Sequence, residues 1–313
     1  MNRRNFVKTA GMGVLGFGLL RNNTQNTLAA PSKRPAGIGM CDWNLNLAAS
    51  PDAIPKAKQV NLQGIQVSVA TSPDNVPLRD PQVREKYVEL GKKHGIAFHS
   101  VAAGSILNKI PLASEPQSAV YVIDAVEAAK ALGAQNILIA FFGNGDLRLK
   151  DANGEMIKHE KNGFATFELD SRGVTRVVEA LKQIVPRAED AGVALGLENT
   201  LSAAQNLEII DRIGSPIVQV YYDVGNSWGN GYDVPAEIKM LGNDRICEVH
   251  LKDWKTRMLG SPEGQVDMRQ CAEALVEIGY DKWLVLETSG RKDKFVEDTK
   301  TNVAFAKKTF NIA

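Results

Sequence analysis

The sequence predicts a single-domain α/β fold, a (β/α)₈ TIM barrel, and two patterns predict it. From Pro35 onward short apolar strand signals alternate with helix signals, with no long linker and no internal repeat. Eight strands and eight helices over roughly 275 residues are the size and order of such a barrel. Four of the later strands, in addition, end in a side chain that can bind a metal, at the end where barrels carry their chemistry. A doubly wound open sheet, the rival for this alternation, needs a glycine-rich phosphate turn after its first strand. Cys41-Asp42-Trp43-Asn44 is not one.

Residues 1–30 are set apart from the barrel of residues 31–313. Arg3 and Arg4 precede an apolar, glycine-rich run from Thr9 to Leu20, and Ala29-Ala30 precede Pro31. The stretch resembles a twin-arginine export signal, read by the export machinery and not by the fold. It implies export to the periplasm or its equivalent. The run is too short and too rich in glycine to span a bilayer comfortably, so no membrane span is expected in the mature domain.

The elements follow in order. A first strand covers Gly37 to Cys41, and a helix runs from about Pro51 to Val60. The second strand is Gly64 to Val69, its helix Pro81 to His94; the third strand is Ile96 to Val101, its helix Pro116 to Leu132. Asn136 to Phe142 is a fourth strand, almost wholly apolar as expected where helices cover a parallel sheet. The polar stretch at about 143–170 is too long for an ordinary connection and reads as an insertion, a lid or small hairpin. A helix from Gly173 to Ala191 leads to the strand Ala194 to Glu198. Helix Ala203 to Ile213 and strand Val218 to Asp223 follow, then helix Pro235 to Leu241 and strand Ile246 to His250. Helix Asp267 to Ile278, strand Trp283 to Glu287 and a helix from Phe295 to Phe310 close the chain.

Composition narrows the function. The chain of 313 residues is 44% hydrophobic and 23% charged, enough to build a sizeable core. Its formal net charge is +1, and removing the four basic residues of the leader from the 37 leaves 33 against 36 acids, a balance of −3. No basic footprint for nucleic acid results. Cys41, Cys247 and Cys271 are odd in number and widely spaced, which suits buried small hydrophobes better than disulfides.

Side-chain parity sharpens the site. Successive strand residues face opposite sides, so counting back by twos from Glu198, Asp223, His250 and Glu287 leaves Leu195, Leu197, Val220, Tyr222, Val249, Leu284 and Leu286 on the other face. The four polar residues therefore share one face. Three carboxylates so placed repel one another unless a cation or protons compensate. Three oxygen donors and one imidazole form a hard site that favours Mn²⁺, with Mg²⁺, Co²⁺ or Zn²⁺ as alternatives, over the thiolate ligation of structural zinc.

Gly196-Leu197-Glu198-Asn199, Tyr222-Asp223-Val224-Gly225-Asn226, Glu248 to Asp253, Gly264-Gln265-Val266-Asp267 and Val285-Leu286-Glu287-Thr288 resemble the sugar phosphate isomerase/epimerase family, the xylose-isomerase-like TIM barrels. The resemblance implies one divalent metal held by Glu198, Asp223, His250 and Glu287. It also implies that the two glutamates shuttle protons on opposite faces of a sugar. Two positions depart from the ketose epimerases of that group. Asn226 stands where they have a sugar-holding histidine, and their arginine after the metal histidine is replaced by a region holding Lys252, Asp253, Lys255 and Arg257.

The expected activity is a metal-dependent sugar isomerase or epimerase, abstracting a proton beside a carbonyl through a metal-stabilised enediolate. Cleavage of 3-keto glycosides by β-elimination, with the same metal and base, is the alternative. A non-catalytic metal-dependent carbohydrate-binding protein is the third reading, disfavoured by two glutamates on nonadjacent strands. Trp43, His99, Asn199, Asn226 and Lys252 are the expected substrate contacts: a platform, an inward-facing histidine, two amides and a cation two residues past His250. Asp253 reads as a supporting partner, and Glu248 as an inward carboxylate paired within the barrel.

Overall fold

Eight parallel strands close into a barrel in the computed structural model, which describes residues 33–161 and 163–312. The export signal read in residues 1–30 lies outside the described residues. In chain order the strands are β1 (Gly37–Cys41), β2 (Gly64–Ser68), β3 (Ala97–Ala102), β4 (Asn136–Ala140), a hairpin of β5 (Lys158–Lys161) and β6 (Phe164–Phe167), then β7 (Ala194–Glu198), β8 (Val218–Asp223), β9 (Ile246–Leu251) and β10 (Trp283–Leu286). The barrel runs β1-β2-β3-β4-β7-β8-β9-β10 and returns to β1. The helices are α1 (Ala53–Gln59), α2 (Pro81–His94), α3 (Gly104–Leu107), α4 (Ala119–Leu132), α5 (Ser171–Ala191), α6 (Ala203–Ile213), α7 (Val224–Gly229), α8 (Val234–Arg245), α9 (Met268–Glu277) and α10 (Phe295–Thr309).

Local chemistry sets these boundaries. Asp80 caps α2 by accepting from Gln82 N–H, Pro81 supplies the preset first turn, and Gly95 ends the helix at φ 65°. Ser202 and Gln205 close a capping box at the start of α6, and Gly214 ends it. In α5 the N–H lost at Pro186 is on the exposed face, so the long amphipathic helix survives it. Gly242, at φ 67° and ψ 172°, breaks α8 just after Leu241, where the sequence pattern ends. Two short helices, α3 and α7, occupy stretches where periodicity predicts none: four and six residues are too few to display a helical period.

The main core lies between barrel and helices. Ile38, Met40, Leu195, Leu197, Leu284 and Leu286 point outward into it and are buried, each such side chain contributing about 1.5–3 kcal/mol on burial. Inside the barrel a smaller layer of Cys41, Ala102, Leu138, Tyr221 and Val285 packs beneath the mouth. Two register shifts alter strict alternation. β2 pairs Ile65 with Phe98 and then Gln66 with Ser100, passing over His99; β8 pairs Val220 with Ile246 and then Tyr221 with Glu248, passing over Cys247. The hairpin is fastened at the mouth: Ala165 N–H donates to Gly231 O, Gln205 Nε2 donates to Phe167 O, and the Arg148 guanidinium lies over the Phe167 ring.

Candidate metal centre

Glu198, Asp223 and His250 stand at or near the C-terminal ends of β7, β8 and β9, and Glu287 directly follows β10. One ligand atom from each lies within 4.8 Å of the others. His250 anchors the group: Nδ1 is 2.9 Å from Glu198 Oε1, 3.9 Å from Asp223 Oδ2 and 4.0 Å from Glu287 Oε2. Asp223 also begins α7, its Oδ1 accepting from Asn226 N–H at 2.8 Å while Oδ2 faces the cluster. Lys252 Nζ donates to Glu287 Oε2 at 2.6 Å and to Asp223 Oδ2 at 3.3 Å.

The electrostatics are those of a crowded carboxylate cluster that could hold a cation. Burial, together with the Glu287 charge and against the pull of Lys252 and His250, pushes Asp223 up to about 6. Burial alone would lower His250, but Glu198, Glu287 and Asp223 outweigh it and raise it to about 9. The Lys252 amine is raised despite its burial by Asp223 and Glu287. Protons thus take the place a metal would occupy among crowded carboxylates. The donor set, three carboxylates and an imidazole nitrogen turned toward them, fits a hard divalent ion.

A cavity of about 360 Å³ opens beside the cluster. Glu198 and Glu287 line it; Asp223 and His250 do not. Trp43 and Phe142 supply aromatic walls, Leu138 and Ala140 an apolar floor, and Asn226 and Lys252 polar groups near the glutamates. Toward α3, Ser105 and Asn108 add two further polar contacts, which the sequence reading missed because their helix is too short to detect.

Two expected substrate contacts lie elsewhere. His99 faces the barrel interior but is 2% exposed and absent from the cavity wall; it is bonded through Nδ1 to Glu248 Oε2 at 2.9 Å and stacked on Trp283. The shift of register at His99 lets both it and Ser100 turn inward, His99 to Glu248 and Ser100 to Gln66 and the Tyr221 hydroxyl. Asn199 is likewise absent from the cavity wall. Its Oδ1 accepts from Leu201 N–H and its Nδ2 donates to Asn206, tying the end of β7 to the start of α6. Glu248 is paired within the barrel, accepting from His99, from Tyr221 OH at 2.6 Å and from Asn136 Nδ2 at 2.9 Å. Asp253 accepts from the backbone N–H groups of Lys255, Gln265 and Val266, folding the loop after β9. A Cβ on Gly264 would come within 2.7 Å of its Oδ2, so only glycine allows that approach.

The family profile described as a xylose isomerase-like TIM barrel matches residues 54–309. The chain belongs to that family. A 2-epi-5-epi-valiolone 7-phosphate 2-epimerase of Actinoplanes sp. is 25% identical over 245 residues, covering 76% of this chain and 81% of that protein. Among solved structures, D-psicose 3-epimerase from Clostridium cellulolyticum H10, determined with D-tagatose, superposes with a TM-score of 0.69 at 14% identity, covering 88% of this chain and 99% of the other. The 3-keto-D-glucoside 4-epimerase of E. coli gives 0.67 at 14% identity, over 87% and 99%. These two share the fold. The xylose isomerase-like family places the chain among barrels whose relatives include sugar epimerases.

Proposed function

We propose that this protein is a divalent-metal-dependent sugar isomerase or epimerase that moves a proton on a carbon beside a carbonyl. One observation carries the reading: of the four ligand-type residues, the two glutamates, from nonadjacent strands, are the ones that line the cavity. Asp223 and His250 hold the cluster from behind, and Glu198 and Glu287 can touch both a cation and a substrate. The four residues would hold a divalent ion, Mn²⁺ before Mg²⁺, Co²⁺ or Zn²⁺, which would supply polarisation of a carbonyl and so acidify the neighbouring C–H.

The chain's own residues supply the rest. One glutamate takes the carbon-bound proton and the other returns a proton to the sugar. Lys252, already donating to Glu287, is placed to meet a substrate oxygen beside it. Trp43 offers an apolar wall for a sugar face, and the Asn226 side chain, which makes no hydrogen bond among the described residues, is available to a hydroxyl. The family match and the epimerase relative support this assignment.

A second substrate reading draws on Asn226. A neutral amide in place of an imidazole, with a fold like that of a 3-keto-D-glucoside 4-epimerase, favours a keto-glycoside, on which the same proton abstraction would expel a leaving group from the β-carbon. The deciding experiment incubates Mn²⁺-loaded protein with free ketoses and 3-keto glycosides in D₂O. Deuterium entering a carbon of a free ketose supports isomerisation; release of an aglycone from 3-keto glycosides with every free ketose unchanged supports elimination. Glu198→Gln and Glu287→Gln should each depress kcat far more than they raise KM. Full turnover by both variants would end the two-carboxylate mechanism.

A further inference from the structure

The far side of His250 holds an interaction that the ligand set does not explain. The imidazole is fully buried, with Nδ1 toward the three carboxylates. Its other nitrogen, Nε2, lies 3.4 Å from Cys41 Sγ, at the end of β1. Cys41 is itself fully buried and stands outside the group of converging ligand atoms. The Tyr221 ring packs on the imidazole at 4.5 Å between centroids, and Trp43 meets it edge-on at 6.3 Å. The ring is therefore hemmed in, and what remains to be set is which nitrogen keeps its proton when the other offers its lone pair.

A neutral imidazole offers a lone pair at one nitrogen only. For Nδ1 to give its pair to a cation, the proton must sit on Nε2, and a buried N–H without an acceptor is costly. Metal-bound histidines ordinarily place that N–H on a carboxylate, a carbonyl or water. Here the partner of Nε2 among the described residues is a thiol, a weak donor as well as a weak acceptor. It can accept Nε2–H in the doubly protonated ring, whose Nδ1–H donates to Glu198, and go on accepting it once Nδ1 has given up its proton and offers its lone pair to a cation. Resting on the metal reading above, we infer that Cys41 is a positioning residue of this centre: its sulfur accepts the Nε2–H of His250 and so leaves the Nδ1 lone pair free for a cation placed among the three carboxylates.

The test measures Mn²⁺ affinity by titration calorimetry, and the metal-free melting temperature, for wild type, Cys41→Val and Cys41→Ala. Valine supplies an apolar, strand-compatible side chain that cannot accept a hydrogen bond; alanine removes the acceptor without adding bulk, should valine overpack the layer. The expected result is a loss of Mn²⁺ affinity of roughly tenfold or more in both, with metal-free melting close to wild type. Wild-type affinity in either folded variant would overturn the inference. So would a sulfur-to-metal charge-transfer band in Co²⁺-loaded wild type, which would make Cys41 a ligand instead. Absence of Mn²⁺ uptake by wild type would sink the metal reading itself. Ring ¹⁵N signals of His250 separate the two failures, because losing the Cys41 contact shifts Nε2 whether or not a cation is bound.

Discussion

Glu248 is a carboxylate buried one layer below the cluster, 1% exposed, and its removal should be among the most damaging single changes in the barrel. It accepts three hydrogen bonds, from His99 Nδ1, Tyr221 OH and Asn136 Nδ2. Glu248→Ala strands those donors. Ser100 Oγ, at 3.1 Å from His99 Nδ1 and 3.3 Å from Tyr221 OH, can relieve one of them, while Asn136 Nδ2 has no second partner. Breaking a buried pair from one side costs about 3–5 kcal/mol, and at about 2–4 °C per kcal/mol for a chain of this size the melting temperature should fall by about 6–20 °C. Glu248→Gln keeps the volume but turns an N–H₂ toward one of the donors, so it should cost about 1–3 kcal/mol. Urea unfolding of metal-free protein measures both. The pH dependence adds a check. Burial pushes Glu248 up, but His99, Tyr221 and Asn136 together hold it below its ordinary 4.5. The folded state then binds fewer protons than the unfolded state just below 4.5, so the contribution is present above that pH and lost as pH falls. Glu248→Ala should lack this acid-side slope. Losses under about 1 kcal/mol in both variants would refute the reasoning, because the three bonds would then contribute nothing net.

Four further outcomes are expected. Metal uptake near pH 7.5 should release about one proton, from His250, and apparent affinity should rise about tenfold per pH unit between about 6 and 9, more steeply below 6 where Asp223 is also protonated; calorimetry in buffers of different ionisation enthalpy checks this. In metal-free protein the His250 contribution to stability, its pKa raised from 6.5 to about 9, should be fully present below 6.5 and fade as pH rises to about 9. Asp223→Ala and His250→Ala should abolish metal retention, measured by elemental analysis after gel filtration, while far-ultraviolet circular dichroism stays close to wild type; undiminished metal in both would remove the ligand assignment. Replacing Arg3 and Arg4 by Lys should strand the protein inside the cell, scored by fractionation, and unchanged export would count against a twin-arginine signal.

Much of the molecule was legible in the sequence because its punctuation is local. Asp80-Pro81 and Gly95 bracket α2, and the apolar run at Asn136–Ala140 has the length and burial of a central strand. The convergence of Glu198, Asp223, His250 and Glu287 was legible for a different reason: a lone polar residue at the same phase on four strands survives any reasonable choice of strand boundary. His99 shows where parity stops helping. It predicts an inward side chain but not its depth, and the shift in register sends His99 below the cavity to Glu248, a partner 149 residues away. Asn199 fails similarly, since an amide one residue past a ligand can serve a cavity or the next helix, and Asn206 decides. Ser105 and Asn108 were hidden because one turn of helix leaves no periodic trace.

Asp223 binds two fates together. One of its oxygens belongs to the cluster and the other carries the first turn of α7, three residues before the amide of Asn226 in the cavity wall. Whatever draws that carboxylate toward a cation also tilts the turn that presents the amide. On the function proposed above, changes at position 226 aimed at the substrate should therefore register in metal affinity, and metal swaps in substrate preference, so that their effects will not simply add.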